Sequence, residues 1–148
     1  MSYWIFQIAS EFYIPQEQMY DALEALLTRH RGTTSPSEEI LRAATLTESF
    51  AQLGWELAED AAANVIGIRY AGATFSSSWP SLAYRELDFD AIAPYVRPGS
   101  FILMHVGDLP DLTQGKGYLE ERIDFDGVRA RFSRTPRLGG SEGWDQLR

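Results

Sequence analysis

The dipeptide Asp126-Gly127, set between Phe125 and Val128, is the tightest constraint the chain places on its own fold. A tight hairpin needs positive φ at its turn, which Gly takes at no steric cost and Asp tolerates better than most residues. A two-residue type I′ turn here predicts Phe125 facing Val128 and Ile123 facing Ala130 on a core side, with Asp124 facing Arg129 and Arg122 facing Arg131 on a solvent side. Such a hairpin needs a sheet to join, and earlier runs supply it. Tyr3 to Ile8 is aromatic and β-branched on both faces, and Ser100 to Val106 is apolar on both faces, as a central strand is. Trp55 to Leu57 and Val65 to Tyr70 flank a turn near residues 60–64.

Helical periodicity is concentrated nearer the N-terminus. Pro15 and Gly32 bracket a helix whose Met19, Leu23, Leu26, Leu27 and His30 fall on one stripe, while Glu17, Asp21 and Glu24 share the opposite face. Ser35-Pro36-Ser37-Glu38 and Thr45-Leu46-Thr47-Glu48 read as two capping boxes opening two short helices, capped by Ser35 and Thr45, with Gly54 as the final stop. Another short helix runs from Asp88, as its cap, to Tyr95 before the Pro98-Gly99 turn, and residues 72–84 and 107–117 read as loops. The fold class is therefore α+β: a mostly antiparallel five- or six-stranded sheet with the N-terminal helices packed on one face. Residues 1–134 form one domain, and the polar, Pro- and Gly-bearing residues 135–148 read as a mobile tail.

Composition narrows the chemistry. With no cysteine, disulfides, thiol nucleophiles and thiolate metal sites are excluded. No glycine-rich phosphate loop and no alternating oxygen ligands for calcium occur, so neither a cofactor nor a metal is expected. No apolar run nears the roughly 20 residues of a membrane span, and the start lacks a secretory signal, so the expectation is a soluble, cytoplasmic protein. His30 lies on the apolar stripe and reads as structural. His105 has Ser100 and Asp108 nearby, but no nucleophile elbow, so neither histidine is expected to be an essential acid or base. The acid pairs Asp88/Asp90, Glu120/Glu121 and Asp124/Asp126 read as structural, with Asp88 a cap, Asp124 opposite Arg129 and Asp126 in a turn.

Charge offers the strongest lead. The chain has 13 basic and 21 acidic residues, a net −8, which disfavours nucleic acid. Residues 1–65 hold ten acids and three bases, net −7, whereas residues 66–148 hold eleven acids and ten bases, net −1. Arg129, Arg131 and Arg134 make a small basic edge, read as charges that keep an edge strand from pairing with another chain.

Phe50 to Glu56 (FAQLGWE), Asn64 to Ile68 (NVIGI), Ala91 to Val96 (AIAPYV), Gly99 to Met104 (GSFILM) and Ile123 to Gly127 (IDFDG) together resemble a group of small uncharacterised bacterial α+β proteins over residues 45–132. The resemblance brings no activity with it. In that pattern the positions of Leu103 and His105 are more often charged, so the departure implies that Phe101, Leu103 and His105 form an exposed apolar strip marking an interface. The functional expectation is a non-enzymatic, acidic inhibitor of immunity or phage anti-defence type, which captures a basic protein partner such as a nuclease through Glu17, Asp21, Glu24 and that strip; self-association stays open. The alternatives are a small hydrolase centred on His105 and a nucleic-acid-associated accessory domain using the C-terminal Arg hairpin.

Overall fold

The computed structural model describes residues 2–147. Five antiparallel strands form the main sheet: β1 (Tyr3–Glu11), β4 (Phe75–Ser76), β5 (Phe101–Asp108), β6 (Tyr118–Phe125) and β7 (Ala130–Arg137), in the order β4-β1-β5-β6-β7. A separate hairpin pairs β2 (Trp55–Glu59) with β3 (Val65–Tyr70). The helices are α1 (Met19–Arg31), α2 (Glu38–Leu41), α3 (Leu46–Gln52), α4 (Glu86–Ile92), α5 (Leu109–Thr113) and α6 (Glu142–Leu147). The α+β expectation holds, with five strands in the main sheet.

One face of that sheet carries Ile5, Ile102, Met104, Val106, Ile123 and Phe125 into a core shared with α1, α3, α4 and the β2–β3 hairpin. Helix α1 buries Leu23, Leu26, Leu27 and His30 as its periodicity requires, and a single 3₁₀ turn at residues 16–18 leads into it. Aromatic rings fill the centre, where Phe89 meets Phe50, Trp55 and Phe125 at centroid separations of 5.6, 5.5 and 6.0 Å.

The two sheets are joined by a side chain. The register of β1 against β5 slips between Gln7 and Ala9, a β-bulge. The Gln7 amide then does what a strand backbone would: Nε2 donates to the Ile68 carbonyl at 2.8 Å, and Oε1 accepts from the Tyr70 N–H at 2.6 Å. Further along, Ile14 and Val65 exchange two backbone hydrogen bonds of 3.0 and 2.9 Å.

The terminal hairpin departs from the two-residue turn. Phe125 pairs with Ala130, Ile123 with Phe132, Asp124 with Arg131 and Arg122 with Ser133, so the register is displaced by two residues and the connection has four. The reason lies in Asp126. Its Oδ1 accepts from the N–H groups of Val128 and Arg129 at 2.9 and 2.7 Å, while its own N–H donates to the Arg129 carbonyl at 3.1 Å, closing a wider loop. Gly127 alone in that loop takes positive φ, +93°, so a type I′ turn, which needs two such residues, does not form. A two-residue slip preserves sidedness, and Phe125, Ile123 and Ala130 stay in the core while Val128 becomes exposed.

Smaller departures have similar local causes. The cap of α2 is Ser37, whose Oγ accepts from the Ile40 N–H, and Ser35 is not used. Asp88 is not a cap: α4 begins two residues earlier and Asp88 lies buried within it. Gly107 and Asp108 end β5, and α5 follows, capped by Asp108. Residues 135–137 continue β7, and 142–147 form α6, placed within the stretch read as a tail.

Gly127→Val is expected to destabilise the fold by about 1–3 kcal/mol, from a β-branched residue at positive φ whose Cβ would meet Pro98 Cγ at 2.9 Å. Gln7→Leu, which strands the Tyr70 N–H and leaves the Ile68 carbonyl only the Ser10 hydroxyl at 3.3 Å, should cost about 1–3 kcal/mol. Urea unfolding of each variant against wild type measures both.

Candidate functional site

The ionisable residues divide into groups that hold the fold and groups that hold nothing. Asp88 is 1% exposed and accepts from His30 Nε2 at 2.8 Å and Arg29 Nε at 2.9 Å, with Arg85 more distant at 3.5 Å. It ties the C-terminal turn of α1 to α4. Glu121, fully buried on the core face of β6, accepts from the Leu82 N–H at 2.8 Å, the Ser81 hydroxyl at 3.0 Å and the Arg134 fork at 2.7 and 2.9 Å. It docks the 78–85 segment on the sheet. Both carboxylates are fully partnered, as buried charges must be to persist.

The arginines of the terminal hairpin are consumed in the same way. Arg129 pairs with Asp90, Arg131 with Asp126, Arg134 with Glu121 and Arg137 with Glu120. Asp124 bonds Arg122 on its own strand and not Arg129. Burial pushes the Asp90 carboxyl up, but the bonds from Arg129 and the Ala130 N–H outweigh it and leave the group below its usual range. With each cation facing a carboxylate, this edge has no surplus positive charge for a phosphate backbone.

His105 occupies a different setting from the one expected. It is 3% exposed, so Phe101, Leu103 and His105 do not make one open strip: the first two are half-buried, and the imidazole is covered. Its Nδ1 lies 2.7 Å from the hydroxyl of Ser141, which also accepts from the Gly143 N–H and opens α6, while the ring stacks on Tyr118 at 4.3 Å. Neither Ser100 nor Asp108 contributes. The Ser100 hydroxyl accepts from the Tyr13 N–H at 3.4 Å, and Asp108 caps α5. Glu120 faces His105 across the strands, but its carboxylate is engaged by Arg137 at 2.9 Å, which holds its pKa below the ordinary value. Ser141 itself has no exposed surface. A hydroxyl so enclosed has no access to a substrate carbonyl in this conformation, and the pair fastens α6 across the sheet.

Helix α1 and the 3₁₀ turn before it, which holds Glu17 outside the helix proper, present the opposite case. Glu17 and Asp21 are exposed and Glu24 is half-buried, and among the described residues none of the three forms an ion pair. Tyr20 stands among them, 71% exposed. Beside this face runs a groove of about 330 Å³ between the start of α1 and the 44–47 segment, lined by Met19, Tyr20, Leu23 and Leu46 and bordered by Glu17 and Glu59. Glu59 is turned to the Thr47 hydroxyl at 2.8 Å, and no cation lines the groove. The acidic face was readable from spacing. Tyr20, three residues after Glu17 and four before Glu24, was the overlooked signal, because an aromatic on the polar side of a helix has no core to enter.

Among the described residues no group of three or more His, Cys, Asp or Glu is placed to hold a metal ion, and no helix is long and apolar enough to cross a membrane. No family model, no curated protein and no solved structure matches the chain.

Burial holds the His105 pKa below its ordinary 6.5. The unfolded chain therefore takes up this proton more readily than the native one, so His105 should cost stability progressively as pH falls below that value. His105→Gln is expected to flatten this part of the stability profile, read by urea unfolding between about pH 7.5 and pH 5. Asp88→Ala, which leaves Arg29 and His30 facing a void, should cost about 3–5 kcal/mol in the same assay.

Proposed function

We propose that this chain is a protein-binding module of inhibitor type that captures a basic partner on the acidic face of α1. The observation that carries the reading is the coincidence of three uncompensated carboxylates, an exposed tyrosine and an apolar groove on one surface. Elsewhere, among the described residues, eight carboxylates are matched to arginines, as Glu56 is to Arg69 and Asp90 to Arg129. Here they face solvent, in the half of the chain that holds net −7. Unmatched charge speeds encounter with a partner of opposite sign, whereas an aromatic beside an apolar groove supplies affinity once contact is made. The chemistry of the partner follows: a surface of Lys or Arg flanking an apolar side chain able to enter the groove. Immunity and anti-defence factors acting on nucleases are one class with this requirement, since a nuclease presents a basic surface to its substrate. The sequence likeness to small bacterial α+β proteins is compatible with that class and adds no activity to it.

Reversing Glu17, Asp21 and Glu24 to Lys changes the charge by six, from −8 to −2. The cost to folding should stay within about 2 kcal/mol, chiefly from placing Lys at the N-terminal turns that Glu17 and Asp21 occupy, because among the described residues the three form no ion pair. A partner recovered from the native host with wild-type protein and identified by mass spectrometry provides the test. Stopped-flow association at low salt should be at least tenfold slower for the triple variant, with most of the salt dependence gone. Equal rates for both proteins would remove α1 from the interface. Tyr20→Ala should instead raise the dissociation rate and leave association nearly unchanged.

A further inference from the structure

A second cleft, of about 280 Å³, lies between the Leu53–Trp55 turn, the end of β3 and the 80–85 segment. Its make-up is unlike that of the α1 groove. Trp55 and Leu82 form part of its wall, Tyr70 and Tyr84 add two phenols, and the one charged side chain lining it is Arg85. No carboxylate lines it, in a chain of net −8.

Arg85 is loosely held where it is nearest to being bound. Its Nη1 reaches Asp88 Oδ2 at 3.5 Å, whereas Oδ1 of the same carboxylate is held by His30 at 2.8 Å and Arg29 at 2.9 Å. Two guanidiniums and an imidazole thus converge on one carboxylate, and the guanidinium with the longest contact faces the cleft. Its field reaches the wall: burial raises the Tyr70 phenol, and the Arg85 charge opposes that rise. Tyr84 is exposed beside it. Gly72 lets the Tyr70 ring lie against the backbone at the cleft, because a side chain there would run into that ring.

Aromatic walls with a single forked cation favour a ring joined to a negative group, since the fork pairs with two oxygens and the π-faces accept a flat apolar body. We propose that this cleft is a binding site for a small aryl anion, with Arg85 meeting its phosphate or carboxylate and Tyr70 and Tyr84 meeting its ring above a floor of Trp55 and Leu82. The site is independent of the α1 face and needs no protein partner.

The probe is phenyl phosphate, titrated into ¹⁵N-labelled full-length protein, with benzoate, inorganic phosphate and benzyl alcohol as parallel arms. Saturable amide shifts are expected at Gly54 and Gly72, which line the cleft. Inorganic phosphate and benzyl alcohol, each carrying half of the recognised chemistry, should bind at least tenfold more weakly. Benzoate stronger than phenyl phosphate would mark the natural ligand as a carboxylate and the reverse order as a phosphate, and both orders support the site. Arg85→Gln should weaken phenyl phosphate at least tenfold, and Arg85→Lys should recover part of that loss. Both variants should keep the dispersed spectrum of the wild type, because Asp88 retains Arg29 and His30. Absence of saturable shifts, equal binding of all four probes, or unchanged affinity in a folded Arg85→Gln protein would each overturn the proposal.

Discussion

One side-chain amide sets how this molecule closes. Gln7 sits where β1 bulges, and its two polar atoms reproduce the donor and acceptor of a peptide group against the edge of β3. Without that substitution the β2–β3 hairpin would present an unpaired edge, and the core beneath it would lose one wall. Because the amide is satisfied there, Trp55, Leu57, Val65 and Ile68 are held over the same interior that Ile5, Ile102 and Met104 enter from the main sheet. Helices α1, α3 and α4 then fill the space between two sheets that share no full ladder.

Charge is divided by task. Asp88 and Glu121 are buried, take several hydrogen bonds each and join elements far apart in sequence. Among the exposed pairs some lie within one element, as Arg122 and Asp124 do, and others across a strand or loop, as Arg69 does from Glu56 and Arg129 from Asp90. Such exposed pairs are each worth little to stability. Their larger effect is on the field: they neutralise the β6–β7 edge, whereas Glu17, Asp21 and Glu24 have no cation beside them among the described ion pairs. The Arg85 cleft is a local exception, where cations outnumber the acid they share.

Elements defined by local periodicity were legible in the sequence, and elements defined by what a side chain reaches were not. The α1 stripe, the Thr45 cap, the Gly54 stop and the β2–β3 hairpin each follow from spacing within a dozen residues. The terminal hairpin was half legible, since a two-residue turn and a four-residue loop put the same side chains on the same face, and only the reach of the Asp126 carboxylate chooses between them. Asp88 resembles a cap because Asp opens helices, but its partners lie on α1, 58 and 59 residues away. Ser141, 36 residues from His105, looks like tail sequence until a histidine on β5 claims it. For the α1 surface, the carboxylates were readable and the groove beside them was not, because its other wall comes from residues 44–47.

The strand order has a consequence for how the chain is made. β1 precedes its long partner β5 by most of the described chain, and 104 residues separate Trp4 from the Asp108 carbonyl that its indole N–H reaches at 3.0 Å. During synthesis the strongly aromatic β1 therefore has only the two residues of β4 and the Gln7 contacts with β3 to bond until β5 has been translated. β5, β6 and β7, by contrast, are consecutive and can assemble as soon as they emerge. Folding should thus proceed from the C-terminal strands inward, with capture of β1 as the slow, entropically costly step. A chain lacking β5 would leave the long ladder of β1 unmade and its aromatic residues uncovered.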